Sequence, residues 1–146
     1  MAVAFTSITA APEPSYVFNN AAGSIMLMPK QGYVRLGWAG YPTSAPVWQQ
    51  LLDQALVQLQ HYQWHKLLGD QRVLPLFAAE NQAWILLDRL PRATRAGLRY
   101  GAIVAPQNVL VRLETAAFLC EFNAYPITYC LFADEAAAIA WLEQQP

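Results

Sequence analysis

Short apolar runs alternate along the chain with longer segments in which apolar residues recur every three or four positions. This pattern predicts strands that alternate with helices. The most continuous run, residues 98–105, contains Ile and Val and is bounded by Gly97 and Pro106, as is typical of a strand buried on both faces. Gly97 is suited to end the preceding helix in the left-handed conformation. A helix, a buried strand and a second helix therefore meet here, which favours an α/β sheet covered by helices.

The N-terminal half predicts a β-hairpin followed by a helix and an inner strand. Apolar runs at residues 16–18 and 24–28 fit one strand or two half-strands, and residues 33–38 alternate as in a half-exposed antiparallel strand after a Pro-Lys-Gln-Gly turn. An amphipathic helix then extends to about residue 64, and a short inner strand ends at Asp70. The apolar face of this helix consists of Val47, Leu51, Leu52, Ala55, Leu56 and Leu59.

The C-terminal half predicts two further helix–strand pairs and a last helix. Residues 79–90 form a helix that Pro91 kinks or restarts, and residues 106–122 form another. Residues 126–132 alternate as a strand, and Asp134 caps the last helix.

The whole chain is predicted to form one domain. Residues 1–15 contain two prolines and no sustained periodicity, so they predict a loose N-terminal arm, and residues 16–146 form a single domain. The element order β-β-α-β-α-β-α-β-α indicates an N-terminal hairpin followed by alternating helices and strands. We therefore expect the α/β class, with a mixed sheet of about four to five strands and about four helices.

Composition and charge narrow the classes of function. The chain has 146 residues and a net charge of −1, with 13% charged and 55% apolar residues. The balanced charge argues against nucleic acid or an anionic membrane surface as a partner. The apolar excess instead favours a homodimer, because homodimer interfaces are apolar and poor in charge. No apolar run is long enough for a membrane span and the N-terminus lacks the basic start of a secretory signal, so we expect a cytoplasmic protein.

Three segments resemble the small bacterial STAS-like proteins, which are related to the sporulation anti-sigma-factor antagonists. They are residues 33–40 (Tyr-Val-Arg-Leu-Gly-Trp-Ala-Gly), the pair 67–70 and 98–104, and the ending from 131 to 142. The resemblance covers roughly residues 30–145 and implies a mixed sheet with helices on it. It also implies a regulatory or binding role rather than catalysis.

The chain departs from the phosphorylated members of that family at one position. There a Ser follows the Asp that ends the inner strand, whereas here Asp70 is followed by Gln-Arg-Val-Leu-Pro, with no Ser or Thr between residues 45 and 93. The phosphoserine switch is therefore not carried over. The chain is more similar to an uncharacterised branch of short STAS-like proteins, for which the resemblance implies no established activity.

Two groups of charged residues are candidates for a binding site. Asp70 ends an inner strand, where ligands of open α/β sheets gather, and Arg72 follows two residues later. They offer a carboxylate and a guanidinium to a small polar ligand, or else form a capped turn with a solvent-facing Arg. Arg89 and Arg92 belong to a basic cluster that extends to Arg99. The cluster suits an anion or a phosphopeptide, or else is a solvated helix end.

Other reactive or aromatic residues give weaker signals. Trp84 belongs either to the core or to an interface, where Trp is enriched. His61 and His65 are four residues apart without the glutamate of the HExxH motif, which favours ordinary helix-end histidines over metal ligands. Cys120 and Cys130 have no metal spacing; they form either one disulfide or, as we expect, two buried free thiols. We therefore predict no cofactor and no metal, and we see no constellation for acid–base or nucleophilic catalysis.

Two hypotheses of function follow. The first is a non-enzymatic STAS-like binding or regulatory domain that forms a homodimer, contacts an unknown protein partner and lacks the phosphoserine switch. The alternative is a carrier of a small apolar or lipid-like ligand, with a pocket between helices and sheet lined by Trp38, Phe77 and Trp84. The candidate binding residues are Asp70, Arg72, Trp84, Arg89 and Arg92.

Overall fold

The computed structural model describes residues 13–41, 43–74 and 78–146. In these parts of the chain, six strands form one mixed sheet with helices on both faces. The strands are β1 (Ser15–Asn20), β2 (Gly23–Met28), β3 (Tyr33–Trp38), β4 (Lys66–Asp70), β5 (Tyr100–Val104) and β6 (Thr128–Phe132). The helical elements are α1 (Ala45–Tyr62), α2 (Ala79–Trp84), a π-helical turn (Ile85–Arg89), α3 (Leu90–Ala96), α4 (Val109–Cys120), a 3-10 turn (Glu121–Ala124) and α5 (Glu135–Gln144). Most of the arm predicted for residues 1–15 lies outside the described residues.

The α/β class and the mixed sheet are confirmed, but the prediction of four to five strands was wrong. The residues that fitted one strand or two half-strands form two complete strands, β1 and β2, which pair across a tight turn. Asn20 shapes this turn, because its side-chain Oδ1 accepts a hydrogen bond from the Ala22 amide at 2.9 Å. An Asn that binds the backbone two residues further on is a frequent turn former, so the Asn-Ala-Ala-Gly sequence carried the missed signal.

The strands lie in the sheet in the order in which they occur in the chain. The neighbours β1, β2 and β3 are antiparallel, which confirms the hairpin predicted across the Pro-Lys-Gln-Gly turn, and β3 to β6 are parallel. Each parallel connection needs a crossover, which α1, the continuous α2–α3 helix and α4 supply. Right-handed crossovers that advance in one direction place their helices on one face of a sheet. Helix α5 covers the opposite face.

The sheet separates two hydrophobic cores of unequal size. The larger core lies beneath α1 and the α2–α3 helix, and the smaller core lies beneath α5. In β3, Val34, Leu36 and Trp38 face the larger core, as the alternation predicts. Tyr33, on the face predicted to be half exposed, is also buried, because it packs with Leu142 in the smaller core. The prediction of a half-exposed strand was therefore wrong at this end of β3.

Pro91 determines the shape of the helix that precedes β5. A proline has no N–H, and its ring clashes with the carbonyl four residues back in an α-helix. The chain accommodates it with the π-helical turn Ile85–Arg89, so the predicted kink takes the form of a widened turn between α2 and α3. In a π-helical turn, backbone hydrogen bonds join residues five positions apart, so the carbonyl of Leu86 would pair with position 91, where proline has no proton to donate. This carbonyl instead accepts a hydrogen bond from the Tyr125 hydroxyl at 2.8 Å.

The helix ends are fixed by individual capping residues. Gly97 ends α3 with a φ of 101°, and the side chain of Asp134 accepts a backbone amide at the start of α5 at 2.8 Å, both as predicted. Helix α4 begins at Val109 rather than at Pro106, because the Asn108 side chain accepts a first-turn amide at 3.1 Å. Within the described ranges, no helix is both long and apolar enough to cross a bilayer.

Candidate functional site

A cavity lies in the larger core, between the sheet and the helices α2, α3 and α4. Its volume is about 70 Å³, several times the roughly 10–15 Å³ that one water molecule needs. Aliphatic and aromatic side chains form most of its wall, among them Leu36, Trp38, Leu67, Ile103, Phe118 and Phe122. Trp38 was predicted for a pocket between helices and sheet and lines this one, whereas Phe77 lies outside the described residues. Trp84 packs outside the wall.

Among the described residues of the wall, Arg89 alone carries a charge. It is the last residue of the π-helical turn, and the residue is only 5% exposed. Its Nε is buried without a hydrogen-bond partner in the protein, and no described carboxylate forms an ion pair with its guanidinium. Widened turns of this kind occur frequently at functional sites. Arg89 is therefore a buried charged group in a mainly apolar wall, with no hydrogen-bond partner at Nε and no ion pair with a described carboxylate.

The surroundings of Arg89 do not neutralise it. Burial lowers the pKa of Arg89, and the nearby Tyr129 and Asp53 oppose this only in part. A guanidinium nevertheless keeps its proton in proteins. Burial also raises the pKa of Tyr129, which the positive charge of Arg89 offsets only in part, so the phenol is neutral at physiological pH. The wall of the cavity therefore carries an unbalanced positive charge.

Arg92, three residues after Arg89, lies at the surface and has partners. It donates hydrogen bonds to Asp88 at 2.7 and 3.1 Å and to Asp53, on α1, at 2.9 Å. Its guanidinium carbon lies 5.6 Å from the centre of the Trp84 ring, which meets Trp48 edge-on. Arg92 and Trp84 thus hold the α2–α3 helix against α1.

The basic cluster from Arg89 to Arg99 does not form one surface. The three-residue spacing predicted that Arg89 and Arg92 lie side by side on a helix. In the structure, Arg89 ends the π-helical turn and enters the core, whereas Arg92, on α3, binds two carboxylates at the surface. Arg95 and Arg99 are exposed.

Asp70 and Arg72 lie together at the carboxyl end of β4, on the α5 side of the sheet. Arg72 donates to the Asp70 carboxylate at 2.7 and 2.9 Å. Arg35 of β3 donates to Asp70 at 2.8 Å and to Glu135 of α5 at 2.8 and 3.0 Å. Arg72 also approaches Glu135 at 3.4 Å. We call these four residues, Arg35, Asp70, Arg72 and Glu135, the Asp70 network.

The Asp70 network balances its own charge, with two guanidinium groups and two carboxylates. Burial alone raises the pKa of Asp70, but the hydrogen bonds from Arg72 and the charges of both arginines outweigh it and lower the pKa. The hydrogen bond from Arg35 lowers the pKa of Glu135, and the same bond raises the pKa of Arg35. Because every charge has a partner, the arrangement fits a tie between β3, β4 and α5 better than a ligand site.

Three residues of these two sites were not singled out from the sequence. Arg35 is the only charge in the alternating β3 segment, on the face away from the larger core, and Glu135 directly follows the cap of α5. Tyr129 shares one face of the predicted last strand with Ile127 and Leu131. These patterns predict on which face of its helix or strand each residue lies, but they do not predict which residue it contacts.

The remaining candidates form no centre in the described part of the chain, where no group of three or more His, Cys, Asp or Glu side chains is placed to hold a metal ion. His65 donates through Nδ1 to the carbonyl of Gly97 at 2.8 Å, and His61 packs edge-on against its neighbour in sequence. Cys120 and Cys130 are free thiols, but the prediction that both are buried was wrong, because Cys120 is exposed on α4 and Cys130 is half-buried in β6.

The chain matches no protein-family model, and no curated protein or solved structure shows significant similarity to it. The resemblance to STAS-like proteins therefore stays a prediction, and the function has to be inferred from the chemistry of the site.

Proposed function

We propose that this protein is a non-enzymatic binding domain that holds a small, mainly apolar ligand in the cavity between the sheet and helices α2 to α4. The observation that carries the proposal is the cavity itself. Protein interiors are close-packed, and voids larger than a water molecule are few in each domain. Such a void costs stability, because the atoms that line it lose packing contacts. A cavity that persists in the larger core, lined mainly by apolar side chains with a few polar groups, is therefore a candidate binding pocket.

The composition of the wall supports binding rather than catalysis. The described lining residues provide two amides, one indole N–H, one hydroxyl, one phenol and one guanidinium, but no carboxylate, imidazole or thiol. General acid–base and nucleophilic mechanisms mostly rely on the latter groups. The proposal therefore includes no reaction, and the polar groups serve to orient a bound molecule.

Native mass spectrometry of gently purified protein tests this proposal. We expect a reproducible added mass that denaturation releases. Thr115→Phe places a ring in the cavity and is expected to abolish the added mass. Thr94→Phe is the matched control, because both threonine hydroxyls donate to the carbonyl four residues back and Thr94 does not line the cavity. An added mass that persists in the Thr115 variant, or none in the wild type after incubation with apolar probes, would count against the proposal.

A second candidate function is self-association through α4, as part of a cytoplasmic STAS-like regulatory domain. Leu110 and Leu113 are 70% and 62% exposed, and their three-residue spacing places them on one side of the helix. An exposed apolar stripe with little charge suits the interface of a homodimer, so the partner we propose for it is a second copy of this chain.

Sedimentation at micromolar concentration tests the second candidate. The double variant Leu110→Glu, Leu113→Glu is expected to be a monomer, whereas Arg112→Glu, which also adds an acidic side chain to an exposed position of α4, is expected to stay dimeric. A monomeric wild-type protein would exclude this function.

A further inference from the structure

We propose that the cavity binds the carboxylate of a small apolar acid, and that Arg89 is the residue that binds it. This inference rests on the proposed ligand-binding function and specifies the chemical class of the ligand. It follows from the burial and surroundings of one side chain, from the sources of negative charge in the chain and from the character of the cavity wall.

In the protein without ligand, Arg89 is a buried charge that lacks an ion pair with a described carboxylate. The residue is 5% exposed, its Nε has no hydrogen-bond partner in the protein, and it lines the cavity. Buried charges in proteins are nearly always paired, because an ion loses its hydration on burial. A guanidinium also does not escape this cost by losing its proton. The environment of Arg89 is therefore completed by an anion.

The chain itself does not supply this anion. Asp53 is the carboxylate whose charge raises the pKa of Arg89. It already accepts a hydrogen bond from Arg92 at 2.9 Å. The described wall contains no acidic residue, and the segments outside the described ranges contain no Asp or Glu in their sequences. The negative charge therefore comes from a bound molecule.

The guanidinium and the rest of the wall define the shape and polarity of that molecule. The planar guanidinium presents its N–H groups as a fork that matches a carboxylate, often through two parallel hydrogen bonds. A single Arg balances one negative charge, whereas a phosphate monoester carries about −1.5 to −2 and would remain partly unbalanced. The rest of the wall is largely aliphatic and aromatic, and the volume is about 70 Å³. A monocarboxylate with a short apolar body fits these conditions.

Isothermal titration calorimetry with two matched series of probes tests the inference. The first series is acetate, butanoate, hexanoate and octanoate, and the second is the corresponding primary alcohols, which share the apolar body but lack the charge. We expect the acids to bind about tenfold to a hundredfold more tightly than the alcohols of equal length, as a charge-assisted hydrogen bond provides. Affinity is expected to rise about fourfold for each added methylene until the cavity is filled.

Variants of two neighbouring arginines assign the effect to one residue. Arg89→Met is expected to remove the preference for acids over alcohols, and Arg89→Lys to retain part of it, because the charge remains but the fork is lost. Arg92→Met is the control, since Arg92 lies outside the cavity wall and is expected to leave the preference unchanged. Circular dichroism confirms that each variant is folded.

The outcomes separate the inference from the proposed function. Acids and alcohols that bind the wild-type protein equally well would overturn the carboxylate site and leave the ligand-binding function standing. A preference for acids that survives Arg89→Met would overturn the role of Arg89. No binding in either series would overturn the inference, and Thr115→Phe then decides the proposed function separately through the mass added in native spectra. The comparison on the wild-type protein does not depend on the folding of any variant.

Discussion

Replacement of Arg89 by methionine is expected to stabilise the ligand-free protein, although most substitutions in a core destabilise. The reason is that Arg89 occupies a buried position without an ion pair or a partner for its Nε. Methionine is unbranched and flexible, so it follows a similar path along the cavity wall and fills irregular space. The substitution removes a buried charge that forms no ion pair with a described carboxylate and that the nearby Tyr129 and Asp53 offset only in part.

The expected change in the free energy of unfolding is the balance of opposing contributions. An unpaired ion in a protein interior costs several kcal/mol even after relaxation. A methionine buried among apolar side chains contributes about 1.5–3 kcal/mol relative to an exposed one. The lost packing of the arginine stem offsets part of this gain. Because hydrophobic replacement of buried ionic groups stabilises proteins by about 1–4 kcal/mol, we expect about 2 kcal/mol here. For a chain of this length, that corresponds to a rise in Tm of roughly 4–8 °C.

Urea and thermal unfolding of protein refolded from denaturant, which removes bound ligand, measure the effect. Arg92→Met is the matched control, because Arg92 lies on the same helical segment but bridges Asp53 and Asp88 at the surface. It is expected to lose up to about 1 kcal/mol, as partly exposed ion pairs do. If Arg89→Met lost as much stability as this control, the guanidinium would have a partner in the ligand-free protein, and the argument for a bound anion would fail.

Three further substitutions test the packing around the two sites. Gly101→Ala is expected to cost about 1–3 kcal/mol in urea unfolding, because an added Cβ overlaps the Tyr129 ring that crosses this strand, and an unchanged midpoint would contradict this. Arg35→Met is expected to cost about 2 kcal/mol at neutral pH. Arg35 helps to lower the pKa of two carboxylates, so their stabilising effect is complete above about pH 5 and is lost as the pH falls through the lowered values. The cost in urea unfolding is therefore expected to shrink in acid, and a constant cost would refute this account. Tyr125→Phe is expected to cost about 1 kcal/mol in thermal unfolding. The cost is expected to be smaller in a Pro91→Ala background, because an N–H at position 91 can continue the five-residue pattern of the π-helical turn, in which the Leu90 amide donates to Ile85, and bond the Leu86 carbonyl. Additive costs in that cycle would refute the coupling.

The sequence predicted most of the fold because the fold depends mainly on local patterns. Alternation and apolar periodicity located β3 to β6 and the helices between them, and Gly97 and Asp134 ended and began helices as expected. The missed strand boundary came from a single Asn-based turn. Pro91 predicted a kink, but proline alone does not determine whether a helix bends, breaks or widens, so the π-helical turn was not predicted.

The sites were less predictable because their contacts join distant parts of the chain. Asp70 and Arg72 were candidates from their place at a strand end, but their partners come from β3 and from α5, and Arg35 binds Glu135 across 100 positions of sequence. Periodicity assigns a face to each residue, but it does not pair residues across a sheet. From the sequence, Asp70 and Arg72 were therefore candidates for a binding site. In the structure, their charges are balanced within the Asp70 network.

The surroundings of Arg89 and Arg92 in the structure show which of the two arginines indicates a ligand. Arg89 and Arg92 looked equivalent in the sequence, and Arg92 makes the more numerous contacts, but those contacts already explain why a charge is tolerated there. Arg89 has neither an ion pair nor a bond at Nε, and it lies in the wall of the cavity in the larger core. Each of these two features costs stability by itself. An apolar monocarboxylate would offset both costs at once, whereas a purely structural origin needs a separate explanation for each.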